Sequence, residues 1–259
     1  MTGAFGPPGQ GTVAGVVRVG ASPFGPVVHP PTASDIVILY LHGDRHLERG
    51  PQAALGLARC LALRTGATVV CSRYRQVFAA ALADVHAGYR YSQGMGPVVL
   101  AGERIGAGLA ASLLIRLRDA GAALPRCAVL VSAVLDLTLQ APSLLLNSAA
   151  DPTLDIAELR WRARHYAVGT APSDPLLSPL RANLHGLPPV QLLAAGTDLL
   201  LDDSVAFAAR AARSGVTVDL RVRPDAASLA AQALPTMADF IQTWAADHPG
   251  GRGFGPDGH

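Results

Sequence analysis

The sequence predicts an α/β domain with a mostly parallel central sheet covered by helices on both faces. Short apolar runs rich in β-branched side chains alternate with segments of helical spacing along most of the chain. The alternation runs strand then helix, the order that parallel strands need for their crossovers. A chain of 259 residues is also long enough to bury one large core.

The elements follow in order. Two short β-like stretches, 13–19 and 26–29, lie between Gly and Pro breakers. DIVILYL at 35–41 is too short and too β-branched for a helix and reads as a buried strand. Helical spacing follows over 51–66, closed by Gly66. A strand at 67–74, a helix at 77–91, a strand at 97–102, a helix at 105–120 and a strand at 127–134 continue the rhythm. After an irregular stretch come a strand at 189–196, a helix at 200–215 and a strand at 216–222. A last helical pattern covers 228–247, with a bend expected at Pro235. Residues 1–248 are therefore read as one domain. The segment 138–179 breaks the alternation and reads as a cap-like insertion with a helix near 154–168. The Gly-rich tail 249–259 is expected to be disordered.

Composition narrows the chemistry. All 21 basic residues are arginine, which excludes a lysine Schiff base and a phosphate-loop lysine. The arginines are scattered, so no nucleic-acid surface is expected. Cys60, Cys71 and Cys127 have no metal spacing and sit in apolar patterns, which marks them as small core residues. No basic-then-apolar leader and no apolar run of membrane-spanning length is visible, so a cytoplasmic location without membrane contact is expected.

In open α/β sheets, ligands sit beyond the carboxyl ends of the strands. Those ends carry His42-Gly43-Asp44-Arg45-His46, then Gly102-Glu103-Arg104-Ile105-Gly106-Ala107-Gly108, then Gly196-Thr197-Asp198, then Arg223-Pro224-Asp225. The second is a Gly-x-Arg-x-Gly strand-to-helix turn, with the spacing of a Gly-x-Ser-x-Gly nucleophile elbow. Leu39-Tyr40-Leu41-His42-Gly43, Tyr74-Arg75, Ser132 to Asp136, Asp174 to Leu180 and Gly196-Thr197-Asp198 with Asp202-Asp203-Ser204 accompany it in order. From about Val13 to Trp244 the chain resembles the fold-3 α/β-hydrolases, the hormone-sensitive-lipase-like bacterial esterases. The resemblance implies the α/β-hydrolase fold with a reduced cap, an oxyanion loop at His42-Gly43, an acid at Asp198, and pairing of two copies through 216–222 and the helix after it.

The catalytic pattern departs from that family. Arg104 stands where the family has its nucleophilic serine, and a guanidinium is not a nucleophile. Ser228 stands where the family has its histidine base, and no histidine lies between His185 and His248. Asp44 and Arg45 replace two glycines of the oxyanion loop. Ser132 as a rerouted nucleophile, and a metal held by His42, Asp44 and His46, are weighed and set aside for lack of specific spacing; no cofactor is expected.

These substitutions predict that serine-esterase chemistry has been lost. The fold is then expected to serve non-hydrolytic catalysis, a cyclisation, isomerisation or elimination, on a small, mostly apolar carbonyl metabolite, by analogy one of secondary metabolism. Arg104, Asp198, His42 and Asp44 are the candidate catalytic groups. Gly43, Arg45, His46, Glu103, Ile105, Ser228, Trp161 and Tyr166 are the candidate substrate contacts. The alternatives are a non-catalytic ligand-binding or partner subunit, with Arg104 held by Glu103 or Asp198, and a residual carboxylic-ester hydrolase in which Asp198 or His42 activates water.

Overall fold

The computed structural model describes residues 16–43, 51–150 and 156–246. Eight strands form one sheet: β1 Arg18–Ser22, β2 Gly25–His29, β3 Val37–Leu41, β4 Thr68–Cys71, β5 Val98–Glu103, β6 Ala128–Val131, β7 Val190–Ala195 and β8 Val218–Arg223. Their spatial order is β1-β2-β4-β3-β5-β6-β7-β8. The β1–β2 and β2–β4 pairs are antiparallel; every pair from β4 to β8 is parallel. The sheet and its connections are those of the α/β-hydrolase fold implied by the sequence resemblance.

Helices α1 Leu55–Thr65, α2 Phe78–Gln93, α3 Ile105–Asp119, α6 Leu201–Arg213 and α7 Ala226–Ala246 cover the sheet. Strand alternation decides which face each side chain joins. Leu39, Leu41, Val98, Leu100 and Leu130 pack with α2, α3 and α6, for example against Leu109, Leu113 and Phe207. Ile38, Tyr40, Val99, Ala101, Val129 and Val131 pack on the opposite face with α1 and α7, against Leu61, Met237 and Ile241. Because both faces are covered, β3 through β7 are buried at every position and are mostly apolar rather than alternating.

Several boundaries differ from the sequence expectation. The first strand begins at Arg18 rather than near residue 13, and 13–15 lie outside the described residues. The helix expected from 51 opens as a 3-10 turn, Pro51–Ala54, and becomes α-helical from Leu55. Gly66 closes α1 in the left-handed conformation at φ 70°, its N–H donating to Ala62 O. Helix α7 continues through Pro235. Cys71 and Cys127 are buried free thiols whose pKa burial pushes up to about 12, which fits packing residues.

The cap-like segment lies between β6 and β7, on the side of the strands' carboxyl ends. It holds α4 Ser143–Leu146, which periodicity did not separate, and α5 Ile156–Tyr166. It is fastened to the loop after β7. Ser143 N–H donates to Asp202 Oδ2 (2.7 Å), Ser143 Oγ donates to Leu199 O (2.8 Å), and Asn147 Nδ2 donates to Gly196 O (3.0 Å) and Asp198 O (2.8 Å). Leu139, Leu144 and Leu199 close a small apolar cluster beneath these bonds.

Candidate active site

The turn from β5 into α3 has the geometry of a nucleophile elbow. Arg104 is its apex, with φ 50° and ψ −118°, a backbone strained for any side chain. Its N–H donates to Val131 O (2.9 Å), and its carbonyl accepts from Gly108 N–H and Val134 N–H (3.1 Å each). The turn is possible only because its neighbours lack side chains. A Cβ on Gly106 would lie 2.1 Å from Leu41 O, and one on Gly43 would lie 2.2 Å from Glu103 O and 3.0 Å from Ile105 N. The chain after β3 thus rests directly on the elbow, and the unpaired N–H groups that open α3 lie beside it.

The two strand ends flanking the elbow bring an imidazole and a carboxylate together. Leu41 is in register with Gly102, so the next residues, His42 and Glu103, stand side by side on the α1/α7 face. His42 Nδ1 is 2.8 Å from Glu103 Oε1, with side chains only 8% and 6% exposed. An ionised carboxylate only accepts, so Nδ1 is the donor in this contact, and in the neutral imidazole Nε2 then presents its lone pair. Nε2 is shielded and has no hydrogen-bond partner among the described residues. The Tyr74 hydroxyl donates to the His42 carbonyl and fixes the imidazole from its backbone side. Tyr40, wholly buried on the same face, has its hydroxyl near Glu103 without meeting hydrogen-bond geometry. Burial first, then the Glu103 charge, raises its pKa well above the usual tyrosine value.

The remaining candidate residues are placed as follows. Asp44, Arg45 and His46 lie outside the described residues. Arg104 is half-buried and forms no ion pair among the described residues. The expectation that Glu103 or Asp198 holds it is therefore corrected. Glu103 is bound to His42, because strand alternation turns it to that imidazole's face. Asp198 folds back on its own loop, Oδ1 accepting from Leu200 N–H (3.1 Å). Ser228 lies in the first turn of α7, its N–H donating to Asp225 Oδ1 (2.7 Å), a helix cap that holds the Asp225 carboxyl below its usual pKa. Tyr166 is a core residue, edge-on to Phe78 at 5.9 Å, and Trp161 is 54% exposed, tilted against His165. In α4, Leu144 is buried, whereas Leu145 and Leu146 are exposed. Ser132 is buried at φ 46°, its hydroxyl unpartnered among the described residues. Sequence reasoning named His42 and Glu103 separately but missed that they form a pair. Only the register of β3 against β5 carries that signal.

Similar proteins now bear on the chemistry. The family profile described as "alpha/beta hydrolase fold" matches residues 38–227. An acetyl-hydrolase of Streptomyces hygroscopicus is 37% identical over 206 residues, 76% of this chain and 69% of that protein. An esterase of Acinetobacter venetianus is 36% identical over 133 residues, 50% of this chain and 44% of that protein. A crystal structure of an esterase from the bacterial hormone-sensitive lipase family superposes with a TM-score of 0.80 at 29% identity, covering 89% of this chain and 84% of that one. The esterase EstE5, in a crystal soaked with p-nitrophenyl butyrate, superposes with a TM-score of 0.82 at 27% identity, covering 89% and 86%.

These similarities overturn the functional expectation drawn from Arg104 and Ser228. Relatives 37% and 36% identical to this chain over the aligned segments are named for ester hydrolysis, and the structural neighbours are esterases. They point to ester hydrolysis rather than to a cyclase, an isomerase or a subunit without chemistry. The expectation set ester hydrolysis behind the other readings because the family's serine and histidine are missing, and the relatives and structural neighbours weigh against that order. In fold, motif order and relatives, the chain belongs to the fold-3 family of α/β-hydrolases, the hormone-sensitive-lipase-like esterases.

Proposed function

We propose that the protein hydrolyses short-chain carboxylic esters by general-base attack of water, with His42 as the base and Glu103 as the residue that orients it. The observation that carries this reading is the 2.8 Å Nδ1–Oε1 contact, which leaves the buried Nε2 free beside the elbow. Support for an ester substrate comes from the names of the relatives, and for a short acyl group from the acetyl-hydrolase and the butyrate ester soaked into EstE5.

In this mechanism Nε2 takes a proton from water as the water oxygen bonds to the ester carbonyl carbon. Negative charge develops on the carbonyl oxygen, and in this reading the N–H groups opening α3, with that of Gly43, donate to it. The tetrahedral intermediate collapses, the C–O bond to the alcohol breaks, and His42 returns the proton to the departing oxygen. Ester and water become acid and alcohol, and no acyl group is ever attached to the protein. Arg104 forms no bond in this sequence, so its lack of nucleophilicity is no obstacle.

The test is hydrolysis of p-nitrophenyl acetate and butyrate by the wild type and by His42→Ala. The expected result is steady turnover without an initial burst, resistance to a serine-directed sulfonyl fluoride, and loss of activity in the variant. Inactivation by the sulfonyl fluoride, or full activity in His42→Ala, would overturn the reading and turn attention to a serine such as Ser132.

A further inference from the structure

We propose that the root of the cap-like segment is a pH-sensitive latch on α6, tight while Asp203 is protonated and loosened once it ionises. The inference does not depend on the reaction proposed above.

The segment leaves the sheet along 135–138 and returns along 178–181, and hydrogen bonds join these two stretches into one stem. Leu180 N–H donates to Leu135 O (2.9 Å), and Leu137 N–H donates to Ser178 Oγ (2.8 Å). Arg181 reaches Asp136 through Nε (3.2 Å) and Nη2 (2.9 Å). Asp203, in the first turn of α6, holds the stem from beneath. Its Oδ2 accepts from both Leu135 N–H (2.8 Å) and Asp136 N–H (3.0 Å). Asp202 beside it holds α4 through Ser143 N–H (2.7 Å). Further along the helix, Arg210 Nη2 donates to Ala182 O (2.9 Å), a tie that does not titrate in this range.

Asp203 is the weak member of this cluster. The residue is only 3% exposed, and the charges acting on it among the described residues are Asp202 on its own helix and Asp136 on the stem, both carboxylates. Arg181 is bound to Asp136 rather than to Asp203. A buried carboxyl among like charges favours its neutral form. The two backbone donors offset only part of that, and Asp203 titrates at about 6 instead of 3.8. Once the stem lifts from α6, the carboxyl meets water and regains its ordinary value.

A group whose pKa is raised in the closed form favours that form fully below about pH 4 and loses its effect as pH rises through 6. The opening constant of the stem should therefore rise by up to about a hundredfold across that span. Asp136, whose pKa is lowered, acts in the opposite sense and only at lower pH. The segment lies on the side of the sheet where the strands' carboxyl ends and the elbow lie, so the latch makes that side more open at neutral pH than in acid.

The experiment is hydrogen exchange of the intact protein from pH 4 to 7, corrected for intrinsic rates, with and without low urea. Amides of 135–147 and 176–182 should lose about thirtyfold or more of their protection as pH rises. That loss should respond little to urea, the mark of a local opening that exposes little surface. Asp203→Asn keeps an acceptor for both N–H groups but cannot ionise, so its protection should stay near the acid value throughout. Constant protection in the wild type overturns the inference. So does a loss that steepens with urea as much as the exchange of α3, since Asp203 would then be exposed only by global unfolding. A pH dependence retained in Asp203→Asn would assign the switch to another group and overturn it as well. The wild-type profile decides the matter even where the variant does not fold.

Discussion

His42 and Glu103 are 61 residues apart in sequence and 2.8 Å apart in space, side by side at the carboxyl ends of two hydrogen-bonded parallel strands. A buried carboxylate facing one ring nitrogen selects the tautomer of the other, the same physical logic by which an aspartate orients the base in a serine hydrolase. In the proposed mechanism the pair acts directly on water. Removing the base should cost about 10²–10⁴ in kcat. Glu103→Gln should lose about 10²-fold or more, since an amide can donate to Nδ1 and drive the proton to Nε2. Both follow from initial rates with p-nitrophenyl acetate, with circular dichroism to verify that each variant folds.

The elbow stores strain at Arg104. Replacing it by glycine, which adopts φ 50° freely, should stabilise the fold by about 1 kcal/mol. Urea denaturation of wild type and Arg104→Gly measures this directly. An unchanged or lowered midpoint would mean that contacts of the arginine side chain outweigh its backbone strain.

The neighbouring glycine has the opposite character. Gly106→Ala would bring a Cβ to 2.1 Å from the Leu41 carbonyl oxygen, and backbone cannot rotate away as a flexible side chain can. The elbow or the end of β3 must shift, at about 1–3 kcal/mol. The shift disturbs the His42–Glu103 contact as well, so stability and activity should fall together in this variant.

Asp203 controls a pH dependence of stability. Burial pushes its carboxyl up to about 6 in the folded protein from 3.8, against the pull of its two backbone hydrogen bonds. A group with a raised folded pKa favours the folded state most when protonated. Its contribution is therefore complete below about pH 4 and is lost as pH rises to 6, on the order of 2–3 kcal/mol. Asp84, Asp136 and Asp225, whose pKa values are lowered, act in the opposite sense and below that window. Asp203→Asn should remove the decline between pH 4 and 6. Urea midpoints across pH 4–7 for both proteins isolate the difference.

Asn147 ties the cap-like segment to the loop after β7 through two bonds from one amide. Asn147→Ala leaves the Gly196 and Asp198 carbonyls without that donor, at about 1–2 kcal/mol. The loss should be local. Limited proteolysis within 138–179 should accelerate well before the global unfolding midpoint moves by a comparable amount.

Local sequence determined a good deal here. The unbroken apolar run of β3 and the helical spacing of α3 identify their own elements, because covering both faces of a sheet leaves no polar alternation to confuse them. The glycines around Arg104 mark the elbow, since only a side-chain-free backbone allows Leu41 and Gly43 to approach it. The helix expected near 154–168 is α5, whereas α4 was not legible, because four residues carry no periodicity of their own and are held by the loop after β7.

The chemistry of the site was decided by tertiary structure alone. Read singly, His42 is a loop histidine, Glu103 a rare acid and Arg104 a lost nucleophile. Which strands are neighbours, and in what register, is set by packing over the whole sheet. That long-range choice places β3 beside β5, aligns Leu41 with Gly102, and turns His42 and Glu103 to the same face while Arg104 occupies the apex of the turn.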